Sequence, residues 1–189
     1  MSATATAEAP VGALVGEWEL DSAHSTVGFV TKYLMFSKVR GSFTSFSGGA
    51  TITDDPAGSK GHGTVEAASI DTGNDQRDGH LRGADFFDVE TYPTIEFETT
   101  GIAHEGGSHY HVTGDLTMHG ATRPIELRAE FLGTARDPYG RDKLAFNATG
   151  SIDREEWGLS WNQALETGGV LVSKSIDIEI EGQLLRKQA

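Results

Sequence analysis

Hydrophobic and polar side chains alternate with a period of two along most of the chain from Trp18 onward. In "STVGFVTKY" Val27, Phe29, Thr31 and Tyr33 share one face, and in "VRGSF" Val39, Gly41 and Phe43 do. "TVEAASI" groups Val65, Ala67 and Ser69, and "TIEFETT" opposes Ile95 and Phe97 to Glu96 and Glu98. The second half repeats the habit in "HYHVTGDLTM" (Tyr110, Val112, Gly114, Leu116, Met118) and "PIELRAEFL" (Ile125, Leu127, Ala129, Phe131). "KLAFNATGSI" and "SKSIDIEIEG" end the series with Leu144, Phe146, Ala148, Gly150 and Ile152, then Ile176, Ile178 and Ile180. A period of two with one dry and one wet face is the pattern of strands in an antiparallel sheet. The connecting stretches "SGG", "DDPAG", "HEGGS", "HGATRP" and "DPYG" are short and built of turn residues. Parallel crossovers would need long helices, and no long segment of 3.6-residue period exists. About eight strands are expected, a number that closes into a single barrel.

The dry faces mix Phe and Ile with Gly41, Gly114, Gly150, Ala67, Ala129 and Ala148. Alternating large and small residues can fill the taper of a solid small barrel. The same small residues can instead leave a lumen lined by aromatics, wide enough for one small ligand. Spacing alone leaves both interiors open.

Between the strands ending near Ile70 and starting near Thr94 lies "DTGNDQRDGHLRGADFFDVETYP". A gap of that length carries structure of its own. Thr72 with Asp75 resembles a capping box, Asp75 and Asp78 suit a helix N-terminus, and Gly83 ends the pattern, so a short helix is predicted near Asn74 to Arg82. Phe86 and Phe87 then return apolar surface to the barrel. His80 with Asp75, Asp78 and Asp85 has metal-ligating chemistry, but the spacing fits no ligand signature and surface ion pairs are the commoner outcome. Arg77, Asp78, His80 and Arg82 are expected to form an ion-pair network that pins the helix. A head-group role for His80 or Arg82 is the alternative.

Composition narrows the functions. The chain has 189 residues and no Cys, so disulfides and thiolate metal sites are excluded. Asp and Glu number 28 against 15 Lys and Arg, a formal net charge of -13, which rules against nucleic-acid binding, and an anionic membrane surface is expected to repel the chain. No run is long and apolar enough for a transmembrane span, so no stable membrane insertion is expected. The N-terminal stretch has neither a basic n-region nor an apolar h-region. It reads as a disordered tail over residues 1–15, with the domain at 16–185 and cytoplasmic residence expected. His109 and His111 lie in the wet phase, Ser25 beside His24 builds no triad, and Glu155, Glu156 and Glu166 read as solvated surface rather than a glycosidase pair. No metal site and no catalytic residue are expected.

Several ordered motifs resemble the YceI-like family, also called polyisoprenoid-binding proteins. "NDQRDGHLRGADFFDVETYPTIEF" is similar to the family hallmark. "GDLTMHGATRPIEL", "DPYGRDKLAFNATGSIDREEWGLSWN" and the opening "WELDSAHSTVGFVTKYLMFSKVRGSF" resemble its other segments. The likeness runs from about Glu17 to Gly182. It implies a lipocalin-like, all-β antiparallel eight-stranded barrel with a short helix between mid-chain strands. The lumen would hold an isoprenoid quinone, polyprenyl lipid or fatty-acid derivative, for transport, storage or isoprenoid-quinone metabolism. The family has no recognised catalytic residues, so none is carried over, and no cofactor is expected beyond a bound isoprenoid or other lipid. An enzyme acting on a hydrophobic substrate in the same barrel is the alternative, and a homodimer stays open. Strand phase selects Phe29, Tyr33, Phe43, Ile95, Phe97, Leu116, Phe131 and Phe146 as lining residues. Phe86, Trp157, Leu159 and Trp161 join them because they lie in or beside irregular segments that can close a barrel end.

Overall fold

The computed structural model describes residues 11–188. The first ten residues of the expected tail lie outside that range. Val11–Ala13 form a 3-10 turn and Leu14 is buried in the core, so order begins ahead of Gly16.

Eleven strand segments follow: β1 (Gly16–Leu20), β2 (Thr26–Tyr33), β3 (Ser37–Phe43), β4 (Phe46–Ile52), β5 (Lys60–Glu66), β6 (Ile70–Asp71), β7 (Thr94–Gly106), β8 (His109–Met118), β9 (Ala121–Arg136), β10 (Asp142–Asp153) and β11 (Ser175–Arg186). Their pairings reduce to eight strands. β11 pairs along one edge first with β2 and then with β1, so β1 and β2 act as one strand bent at Ser22–His24. β4 continues β3, because β3 pairs with β2 and β4 with β1. β6 likewise continues β5. The β1–β11 ladder closes the ring, giving an antiparallel eight-stranded barrel with one short helix, α1 (Asp75–Arg82), between β6 and β7. Closure confines unpaired edge to strand ends, such as Ser37–Gly41 of β3 and the part of β7 beyond Glu98, which limits the aggregation hazard of open strands.

Three local expectations change. "SGG" is not a turn: Ser47, Gly48 and Gly49 sit in the middle of β4, between β1 and β5. A Cβ on Gly48 would lie 2.6 Å from His62 O, and one on Gly49 would lie 2.6 Å from Trp18 O. Glycine is needed there for close backbone approach, not for a turn. "TVEAASI" is one strand only to Glu66, because Ala67–Ser69 form a 3-10 turn. Thr72 does not cap the helix. Asn74 does, its side-chain oxygen accepting from Arg77 N at 2.9 Å, an arrangement worth about 1 kcal/mol.

The two barrel ends differ. At the floor end, Leu14, Trp18, Leu144 and Leu184 form a buried cluster, and Trp18 Nε1 donates to Leu14 O at 2.8 Å. At the helix end lie α1, the segment 154–174 and the β2–β3 turn. Leu34 N donates to Leu171 O at 2.9 Å, tying that turn to the segment. The turn is tight: Phe36 N donates to Tyr33 O at 3.2 Å, while Leu34 (φ 52°) and Met35 (φ 65°) both occupy the left-handed region. Positive φ at both central residues is the type I′ pattern that matches strand twist and favours Asn-Gly. Large side chains there cost roughly 1–2 kcal/mol each.

Candidate binding cavity

The inward phase of every barrel strand opens onto one cavity of about 920 Å³, lined mainly by apolar side chains. Ligand pockets typically span about 300–1,000 Å³. The interior is therefore a lumen, and the reason lies in how the aromatics sit. Phe29 lies across Gly41, whose added Cβ would fall 2.4 Å from the ring. Phe97 covers Gly114 at 2.4 Å, and Phe146 covers Gly182 at 2.3 Å. Gly41 and Gly114 are thus not gaps but seats: each lets a neighbouring ring lie flat on the wall instead of projecting to the axis. Gly150 is likewise filled, by Leu127. Gly61 and Gly63, on β5, do leave open wall, with nothing nearer than 3.5 Å to an added Cβ.

Eleven of the twelve expected lining residues border the cavity: Phe29, Tyr33, Phe43, Phe86, Ile95, Phe97, Leu116, Phe131, Phe146, Leu159 and Trp161. Trp157 is absent from the lining. It is 2% exposed and packs with Met118, Ile125 and Leu127, and its Nε1 donates to Leu116 O at 2.9 Å. The short 3-10 helix Arg154–Trp157 swings it over the ends of β8 and β9. Leu159, two residues on, packs in the same cluster and still reaches the cavity. Phe87, Ile176, Ile178 and Ile180 also line the cavity. The three Ile carried the phase signal and could have been named from it.

Side chains of α1 form the polar border. Asn74, Gln76, Arg77 and His80 line the cavity and are exposed to water, so the lumen meets solvent beside the helix. The expected ion-pair network is replaced by a different one. Asp78, 3% exposed, accepts from Thr72 N at 3.0 Å and also from Thr72 Oγ1. Arg77 donates to Thr72 O at 2.8 Å, and Arg82 donates to Ala68 O and Ile70 O at 2.8 and 2.9 Å. The basic side chains hold backbone carbonyls rather than Asp78. Backbone acceptors are invisible to charge spacing. His80 meets Asp85 at 2.9 Å and packs edge-on against Phe86 and Trp161, with centroids at 5.1 and 4.7 Å. Asp78 is thus committed to Thr72 while Asp85 faces His80, and the suggested metal-ligating group is not assembled.

Two polar residues on the cavity wall differ in legibility: strand phase put Thr31 on the dry face, whereas Arg154 carried no sequence signal. Arg154 is 3% exposed. Its guanidinium donates to Ser173 O at 3.0 Å and to Leu159 O, clamping the segment 154–174. Burial pushes its pKa down from the ordinary value, and the nearby charges of Glu155 and Asp153 oppose that. Thr31 Oγ1 is buried without a hydrogen-bond partner among the described residues, and Thr31 lines the cavity. At the floor, Lys143 Nζ donates to Asp21 at 2.8 Å, and His24 Nδ1 lies 2.9 Å from the same oxygen. Burial raises the Asp21 pKa, but hydrogen bonds and charges from Lys143 and His24 outweigh it and hold the carboxyl below the usual range.

The YceI-like domain profile matches residues 18–184. The chain belongs to the YceI-like family. A UPF0312 protein of Staphylococcus aureus is 38% identical over 165 residues, covering 86% of this chain and 94% of that protein. The crystal structure of Burkholderia cenocepacia BcnA superposes with a TM-score of 0.74 at 27% identity, covering 87% of this chain and 98% of its own. A polyisoprenoid binding domain from Saccharophagus degradans superposes at 0.66 with 17% identity, covering 90% of this chain and 98% of that one, which is a likeness of fold alone. In this YceI-like barrel no helix among the described residues is long and apolar enough to cross a membrane.

Proposed function

We propose that this YceI-like barrel binds a long-chain apolar lipid in its lumen, of the isoprenoid-quinone, polyprenyl or fatty-acid class, and serves its transport, storage or metabolism. The carrying observation is the cavity of about 920 Å³ walled mainly by apolar side chains. Apolar surface in water costs about 25 cal/mol per Å², and such a wall removes that cost without directional contacts. The reading is of a binding protein. Nothing in the geometry favours the enzyme alternative, and turnover of the bound lipid by purified protein would establish it.

The test is extraction of the purified protein and identification of bound molecules by mass spectrometry, beside Gly63→Leu. Gly63 pairs with Phe97 on the lumen face, and its added Cβ meets nothing closer than Ser47 O at 3.7 Å. The leucine therefore fits the wall and fills the lumen. We expect an apolar lipid from the native protein and several-fold less from a folded Gly63→Leu. Finding no apolar molecule, or equal amounts from both, overturns the reading.

A further inference from the structure

Among the described residues, the β2–β3 turn carries the longest run of exposed large apolar side chains. Phe36 is 89% exposed, Met35 59%, Tyr33 40% and Leu34 38%. The other large exposed hydrophobics, Val15, Leu132 and Tyr139, lie apart from it in sequence. A contiguous exposed apolar group marks an interaction site. Here it occupies a type I′ turn at the two positions where such side chains are most strained.

The turn's own stretch of chain is basic, while β11 alongside β2 carries Asp177, Glu179 and Glu181 further down the strand. The protein carries a net -13, yet residues 22–53 contain no Asp or Glu and hold Lys32, Lys38 and Arg40. Arg40 is paired to Glu179 at 2.7 Å. Lys32 and Lys38 face each other directly across the β2–β3 ladder, and among the described residues neither joins an ion pair. Like charges directly opposed in a sheet are unfavourable. Two exposed lysines beneath four exposed apolar side chains form an electrostatic and apolar combination that fits an anionic lipid surface. At physiological salt a charge is felt over about 8 Å, so these lysines act locally while most of the protein's acidity is screened. A two-residue turn is too small for a stable protein interface, which needs about 800 Å² per partner. Two copies meeting tip to tip would also oppose their lysines.

We propose that residues 33–36 are a membrane-docking finger: the apolar tip enters the interfacial region of an anionic bilayer while Lys32 and Lys38 lie on its phosphates. Tyr33 and Val39 line the cavity, as do Leu171 and Val172 beside the turn. Docking therefore sets the helix end of the lumen against the bilayer, where a lipid could enter or leave without crossing water. The finger is peripheral, not a membrane span, and the proposal stands whether or not the lumen holds lipid.

The test is co-sedimentation of the full chain with phosphatidylcholine vesicles, pure or doped with phosphatidylglycerol. The native protein should pellet with the doped vesicles, less so at high salt, and stay in solution with pure phosphatidylcholine. Leu34→Asn with Met35→Gly restores the residues the turn prefers, so the fold should keep or gain Tm while vesicle affinity falls about tenfold or more. Lys32→Gln and Lys38→Gln should each weaken binding about fivefold. Gly63→Leu should pellet like the native protein, which separates docking from lumen binding. The proposal is overturned if the native protein ignores both vesicle types or binds them equally, or if the turn variant pellets unchanged. It is equally overturned if sedimentation velocity without lipid shows a dimer that the turn variant dissolves, which would assign the tip to a second copy.

Discussion

At the floor end of the barrel Trp18 is 1% exposed, hydrogen-bonded to Leu14 O and packed against Leu144 and Leu184. At the helix end the lining side chains Asn74, Gln76, Arg77 and His80 face water, and α1 is held by hydrogen bonds from Arg77 and Arg82 to backbone carbonyls. The floor is closed by dense packing, the helix end by a discrete set of polar ties. Dense packing loses its stability with any large deletion. Polar ties can release one element while the ring of strands persists. A lumen that exchanges a ligand needs that asymmetry, and the helix end is the side suited to opening.

The largest predicted effect tests the floor. Trp18→Ala should destabilise by about 3–5 kcal/mol in urea denaturation, as large aromatic deletions in cores do. Trp161→Ala, at the half-buried helix end, should cost less than half of that while lowering lipid retention. Equal losses at both ends would erase the contrast. Next comes the tie itself. Asp78→Ala leaves the Thr72 N–H and hydroxyl without their acceptor and should cost about 1–3 kcal/mol, with the profile of extracted lipid unchanged. Normal stability with altered lipid selectivity would instead make α1 a recognition element.

The ion pair under the floor gives a pH signature. The folded Asp21 carboxyl is held below its usual pKa. Its stabilisation is therefore complete above the unfolded carboxylate value of about 3.9 and is lost as pH falls through the folded value. The Tm gap between native protein and Asp21→Asn should be widest near neutral pH and shrink below about pH 4. A gap that grows on acidification would contradict the assignment. The last effect belongs to Thr31→Val, which removes a buried hydroxyl that has no partner among the described residues and should raise stability by about 1 kcal/mol.

Much of the site was legible in the chain because a strand reports its two faces directly. The alternation that placed Phe29, Tyr33, Ile95, Phe97 and Leu116 on the dry side needs only the pleat, and those residues do border the lumen. Trp157 and Leu159 show where that reading ends. Both lie just past a strand, where period carries no direction, and a single 3-10 turn sends Trp157 into packed core while Leu159 still reaches the cavity. "SGG" misled for a related reason: glycine looks the same in sequence whether it serves a positive φ or a close backbone approach.

Period, turn chemistry and charge, read from the residues alone, determined an antiparallel ring of about eight strands, a short helix before the strand at Thr94 and an acidic surface. Those properties are set by neighbours a few residues apart. Whether the ring is hollow was decided only by the tertiary structure. It depends on Phe29, Phe97 and Phe146 lying over Gly41, Gly114 and Gly182, just as the seating of α1 depends on Asp78 and Arg82 finding partners outside the helix. The two lysines opposed across β2 and β3 are likewise a product of register. Such contacts join residues distant along the chain, and only the closed barrel brings them together.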